Sequence, residues 1–121
     1  MLPGLEPLYR RLLLYAFYGN LLTERQKALF EMRFHQDFSL GEIAENLQIS
    51  RAAVCDGLHR AECELEEIER KLGLVEQFLQ QRSALSRLEG LLSSLTVTEC
   101  QQGLLEEARS IVRWLLEGSN D

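Results

Sequence analysis

The chain has 121 residues, 45% of them hydrophobic and 26% charged, with a net charge of −6. That length allows one domain, or one small domain with an appendage. The balance is that of a globular chain rather than a disordered one, and no stretch reaches the roughly 18 consecutive apolar residues a membrane span needs. The acid excess disfavours binding to duplex DNA by bulk phosphate neutralisation, so a nucleic-acid function would need a local basic patch.

At the amino terminus, MLPGLEPLYRRLLLYAF places arginines before a short apolar run, as a signal peptide would. Polar and aromatic residues interrupt that run and no small-residue cleavage site follows it, so it reads as an amphipathic first helix. Pro7 suits its first turn, Leu8, Leu12, Tyr15 and Ala16 recur at helical spacing, and Gly19-Asn20 ends it. Thr23 followed by Gln26 is a capping-box pattern, opening a second helix through Ala28, Leu29, Met32 and Arg33. Ser39 with Glu42 opens a third, shorter helix whose apolar face is Leu40, Ile43, Ala44 and Leu47. Gln48-Ile49-Ser50 then supplies a tight turn and the N-cap of a fourth helix. The period-2 alternation of strands is absent, so the expected fold class is all-α.

In the fourth helix Val54, Leu58, Ala61, Leu65, Ile68, Leu72, Val75 and Leu79 step alternately by four and three, a heptad seam that wants a partner surface. Gly73 weakens it and is the place for a bend or a break. Leu85, Leu88, Leu92 and Leu95 continue the stripe. Thr96 with Glu99 gives a further capping-box pattern, and Leu104, Ala108, Ile111 and Leu115 form a last amphipathic helix before a loose tail from Gly118 to Asp121. The expected architecture is a helix-turn-helix head over residues 1–72, its long helix leading into a helical carboxy-terminal arm over residues 73–121. The arm can fold back on the head or pair with a second chain. Pairing into a homodimer is the expectation, because an isolated head of this size buries little surface and two-fold dimers are the commonest solution.

The strongest local signal is SLGEIAENLQISRAAVCDGL, Ser39 to Leu58. Ala44 sits where two helices cross closely, Leu47 and Ile49 bracket the turn, and Val54 and Leu58 pack the second helix onto the first. In a chain without strands this points to a helix-turn-helix rather than an ordinary antiparallel helix hairpin. With Val54, Leu58 and Ala61 inward, the opposite face carries Arg51, Ala52, Cys55, Asp56, His59, Arg60 and Cys63. Major-groove readers place Arg, Lys, Asn or Gln there, matching base-edge donors and acceptors. Here only Arg51, His59 and Arg60 could contribute. Asp56 opposes phosphate, and Glu62, Glu64, Glu66, Glu67 and Glu69 follow it. Within that run Glu66 is spaced to pair with Arg70, and Glu67 with Lys71. The scaffold suits DNA, but the surface does not.

Arg10, Arg11, Arg25, Lys27 and Arg33 lie in the first two helices. With Arg51 and Arg60 they could form a modest phosphate-binding face, but Glu24 and Glu31 are interspersed and scattered surface charge is the better account of them. The candidate phosphate contacts are Arg51, Arg60, Arg25 and Lys27. A structured RNA needs less continuous charge than duplex DNA, being recognised largely through shape and 2′-hydroxyl contacts. Cys55, His59 and Cys63 share one helix face, but the outer two lie ~12 Å apart along the helix, too far for one metal centre. No metal or cofactor is therefore expected. No Gly-rich phosphate loop or nucleophile motif is present, so no catalytic residue and no enzyme are expected. Three cysteines without framework spacing read as reduced thiols of a cytosolic protein, and Trp114 as a packing residue of the last helix.

EIAENLQISRAAV resembles region 4 of bacterial sigma factors, whose helix-turn-helix reads promoter DNA. A longer resemblance runs from about Leu14 to Phe78. FYGNLLTERQ, DFSLGEIAENLQISRAAVCD and LEEIERKLGLVEQF are similar to the YlxM family, small bacterial helix-turn-helix proteins associated with the signal recognition particle. That family's genes typically neighbour the gene of the particle's GTPase subunit. The resemblance implies a cytoplasmic, non-enzymatic regulator or adaptor of co-translational targeting, binding the particle's RNA, its GTPase subunit or their complex and no membrane. The sigma-like fold would be kept and its DNA-reading face repurposed. The rival expectation rests on the motif alone: a dimeric transcriptional regulator that reads duplex DNA through Arg51, His59 and Arg60. Three positions depart from the family's pattern, with Cys55 in place of an aromatic, Gly57 of asparagine and His59 of lysine. Past Phe78 no resemblance is recognised, and the arm rests on its apolar stripes.

Overall fold

A proline in a first helical turn needs no amide partner, and the first helix, α1, opens at such a residue and runs Pro7–Tyr18. The computed structural model describes residues 6–118, and among them every regular element is helical. A 3₁₀ turn at Gly19–Leu21 leads into α2, Glu24–Phe30. Its capping box closes as spaced: the Gln26 amide donates to Thr23 Oγ1 at 3.2 Å, and the Thr23 amide to Gln26 Oε1 at 3.0 Å. The helix widens into a π-type turn, Glu31–His35, and Asp37, at φ 60°, turns the chain toward α3, Leu40–Leu47. Ser39 and Glu42 form the second capping box, at 2.9 and 3.1 Å. The Ser39 amide first, then its hydroxyl, holds the Glu42 carboxyl below its usual range.

The fourth helix, α4, spans Arg51–Leu72 and buries Val54, Leu58, Ala61 and Leu65 against α1, α2 and α3. The core centres on Leu29, Ile43, Ala44, Val54 and Leu58, with Met32, Phe34, Phe38, Leu40, Leu47 and Ile49 packed around it. Beside it Tyr15 stacks on Phe30 with ring centres 4.4 Å apart. Burial first, then the Glu31 carboxylate, pushes the Tyr15 phenol up to about 12. The buried face of α1 is not the stripe expected from spacing. Leu14 and Tyr18 are buried, Leu12 and Tyr15 half-buried, and Leu8 and Ala16 exposed. Apolar residues nearly encircle this helix, so periodicity alone could not choose its inner face.

The heptad seam does not run through as one helix. Gly73, at φ 67°, ends α4 in the left-handed conformation that glycine adopts freely, and its amide donates to the Glu69 carbonyl at 2.8 Å. Leu72 is consequently 56% exposed, and the inner line passes through Glu69 instead. From Val54 to Leu65 the seam is covered by the head's own helices and needs no partner chain. The Glu69 carboxylate is only 7% exposed. It accepts the Tyr18 hydroxyl at 2.5 Å and the Val75 amide at 3.0 Å, while Tyr18 Oη accepts from the Leu74 amide at 3.2 Å. Two of the orphan amides that open the next helix, α5 (Leu74–Ser93), are thereby satisfied by a buried polar pair. Burial, reinforced by Glu69, raises the Tyr18 phenol above its ordinary value.

The chain divides into two compact units, one ending at Val75 and one beginning at Glu76. In the second unit α5 and the last helix, α6 (Glu99–Gly118), form a hairpin in which Arg82 Nη1 donates to the Leu116 carbonyl at 2.7 Å. The residue capping α6 is Thr98 rather than Thr96. Its amide donates to Gln101 Oε1 at 3.4 Å, so the box-like pair lies two residues later than Thr96 with Glu99. The inner side of α6 is also rotated from the expected stripe. Val112 is buried and Leu105, Ala108 and Leu116 are half-buried, whereas Leu104, Ile111 and Leu115 are exposed. Trp114, expected to pack, is 69% exposed. The predicted tail beyond Gly118 lies outside the described residues. Among those residues no helix is long and apolar enough to cross a membrane.

Candidate nucleic-acid interface

The turn between α3 and α4 is three residues long, and each has a local reason. Gln48 ends α3 at φ 57°, and the Ile49 amide donates back to the Ala44 carbonyl at 3.0 Å, closing the helix end. Ser50 Oγ then accepts the Ala53 amide at 3.0 Å and starts α4. Further along α4, a Leu29 methyl occupies the space a side chain on Gly57 would need. Glycine at position 57 therefore lets α2 close directly onto α4. The result is a helix-turn-helix whose second helix exposes Arg51, Ala52, Cys55, Asp56, His59, Arg60 and Cys63, as the spacing predicts.

The structure separates the candidate basic residues. Arg25 and Arg60 line one groove of 370 Å³ beside the turn, together with Gln26, Ile49 and Asp56. Arg51 lines the adjoining groove of 540 Å³, with Ser39, Glu42 and Glu45, and Ile49 borders both. Within the first groove Asp56 Oδ2 holds Arg60 Nε at 3.0 Å, so part of that positive charge is already matched. His59 lies on the other flank of α4, facing α1, with Nε2 3.5 Å from Cys63 Sγ. Lys27 turns back to Glu24 at 3.3 Å and lines neither groove. Arg25, Arg51 and Arg60 are thus brought together around the turn, and His59 and Lys27 are not.

The glutamates of α4 act mainly within the fold. Glu66 takes Arg10 of α1 in a two-bond pair at 2.9 and 2.8 Å, and Glu62 takes Arg11 at 2.8 Å. Arg70 pairs with Glu67, at 2.5 and 3.0 Å, rather than with Glu66 as its i,i+4 spacing suggested; α1 holds Glu66 instead. Lys71 does stand near Glu67, at 3.9 Å. These bonds hold the Glu67 carboxyl below its usual range. Arg33 Nη1 donates to the Phe38 carbonyl at 3.1 Å. Arg10, Arg11 and Arg33 are therefore engaged in holding the head. The sequence signal for this was present but unread: Glu62 and Glu66 stand one turn apart on the flank of the buried seam, opposite adjacent arginines. Cys55, Cys63 and Cys100 are free and exposed, and among the described residues no three His, Cys, Asp or Glu side chains cluster to hold a metal ion.

Residues 5–104 match a protein family described as "Putative helix-turn-helix protein, YlxM / p13 like". The match continues past Phe78, where the resemblance read from the sequence had stopped. A UPF0122 protein of Desulforamulus reducens is 43% identical over 109 residues, covering 90% of this chain and 92% of that relative. Similar proteins of the same name occur in Bacillus velezensis, 40% identical over 103 residues, and Listeria monocytogenes, 38% identical over 107 residues. These alignments cover 85% and 88% of this chain, and 94% and 97% of the respective relatives.

Proposed function

The chain belongs to the YlxM / p13-like helix-turn-helix family, and on that premise we propose that it is a non-enzymatic regulator or adaptor of the bacterial signal recognition particle pathway. It binds the particle's RNA, its GTPase subunit or their complex through the turn end of the helix-turn-helix. The observation that carries this reading is the small size of the basic cluster: Arg25, Arg51 and Arg60, with Arg60 shared with Asp56. Three phosphate contacts support a salt dependence of only about −2 to −3 in log–log slope, shallow for a protein that finds duplex DNA by charge. A structured RNA presented by shape, or already held by a protein, asks less of the surface charge.

The test is fluorescence anisotropy of labelled signal-recognition-particle RNA titrated with the full chain, with and without the GTPase subunit, against excess duplex DNA. Binding that resists the DNA is the expected result. Arg51→Ala with Arg60→Ala should weaken it about tenfold or more and lower the salt slope by roughly 1.4, two contacts at about 0.7 each. Displacement of the RNA by duplex DNA would make the protein a transcriptional regulator instead. Equal affinity of the double variant would remove this face from the interaction.

A further inference from the structure

The second unit carries a surface that the helix-turn-helix reading does not use. On α6, Leu104 is 71% and Ile111 54% exposed, and Trp114 and Leu115 are exposed beside them. At 3.6 residues per turn, Leu104, Ile111 and Leu115 stack in one stripe, and Trp114, one turn from Ile111, widens it. Spacing of i, i+7, i+10 and i+11 is the anchor pattern with which one helix receives another. Beyond Trp114 the bordering row carries Glu99 and Glu117, and Glu107 stands between Trp114 and Ile111, all three exposed. Among the described residues none of these three has an ion-pair partner. Of the two α6 arginines, Arg109 stands 3.8 Å from Glu106 toward the inner side, and Arg113 is exposed on the side of the helix away from the stripe. No lysine follows Lys71 anywhere in the chain.

We propose that this face of α6 docks an amphipathic helix of a partner protein, one whose polar margin is basic. The occupant follows from the charge. A second copy of the chain is the obvious rival, since two stripes of Leu104, Ile111 and Leu115 could pair face to face. Antiparallel self-pairing, however, brings the acidic row of one α6 against the acidic row of the other, and like charges at such a margin oppose association. Lysines or arginines on the incoming helix meet the same row favourably. The family match ends at residue 104, so nearly all of this surface lies beyond it.

Trp114 is the single tryptophan of the chain and stands on the proposed contact, so its emission reports occupancy directly. The probe is a synthetic leucine–lysine amphipathic helix titrated into the full-length protein, with the leucine–glutamate counterpart as control. A saturable blue shift is expected with the lysine peptide, with the glutamate peptide about tenfold weaker or worse. Glu107→Lys with Glu117→Lys should reverse that order. These positions are exposed, and an unchanged far-UV circular dichroism spectrum checks that the fold is kept. Equal response to both peptides, or none, overturns the proposal. A Trp114 shift that grows with protein concentration alone, alongside dimers in sedimentation, overturns it in favour of a second copy.

Discussion

Replacing Glu69 tests how the head is closed at the end of α4. Glu69→Leu keeps the approximate volume and removes the acceptor for both the Tyr18 hydroxyl and the Val75 amide. Each buried donor left without a partner costs about 1–3 kcal/mol. Relief from burying a carboxylate returns some of this, so the expected net loss is about 2–4 kcal/mol. With a urea dependence of about 2 kcal/mol/M, that is a midpoint lower by roughly 1–2 M. Glu69→Gln retains an acceptor without the charge and should fall about midway. Adding Tyr18→Phe to Glu69→Leu removes the orphaned hydroxyl but leaves the Leu74 amide unpaired, so the number of orphans does not rise and the double variant should be less destabilised than the sum of the singles. Urea melts by circular dichroism supply the energies. Because the chain has two units, amide exchange at Leu74 and Val75 supplies the location: their protection should drop before that of the α3 amides. Glu69→Leu melting within 0.5 kcal/mol of the parent, a margin of about the size surface substitutions give, would refute the closure.

Gln48 spends its left-handed backbone without glycine's freedom, so Gln48→Gly should stabilise the head by about 1 kcal/mol in the same urea melts. Gly57→Ala should destabilise it by about 1–3 kcal/mol, because the new methyl meets buried Leu29 and forces α2 away from α4. The Tyr15 phenol, at about 12 in the fold against 10 unfolded, contributes stability fully below pH 10 and loses it as pH rises through 12. Thermal melts across that range should therefore decline less steeply for Tyr15→Phe. Asp56→Asn frees Arg60 and should raise nonspecific affinity for duplex DNA while steepening its salt slope by up to about 1; an unchanged slope would mean that Arg60 meets no phosphate.

The parts of the fold legible in the sequence are those decided within a few residues. The Thr23–Gln26 and Ser39–Glu42 boxes close where their spacing put them, and Ala44, Val54 and Leu58 are buried because polar neighbours leave no second apolar face to choose. Helix faces with two apolar stripes were not legible. In α6 Leu104-Ile111-Leu115 and Leu105-Val112-Leu116 are equally good stripes, and only packing within the second unit selects the latter. The site divides in the same way. That Arg51, His59 and Arg60 are exposed on α4 follows from the seam, but the approach of Arg25 to Arg60 depends on how closely α2 lies on α4, which Gly57 sets.

The acidic run of α4 looks like a deterrent to nucleic acid and works as a clamp. A surface ion pair contributes about 0–1 kcal/mol, so Glu62 and Glu66 add modestly to stability through Arg11 and Arg10. Their larger effect is on what remains available. Every arginine they hold is withdrawn from phosphate contact, and Arg33 is held by a carbonyl of its own turn. The head keeps the shape of a groove-reading module with about three cations at its tip, one of them half neutralised. On the function proposed above, a surface of that kind gains little from electrostatic attraction at a distance and depends on fit over a short contact, which a folded or protein-bound nucleic acid offers better than a long uniform duplex.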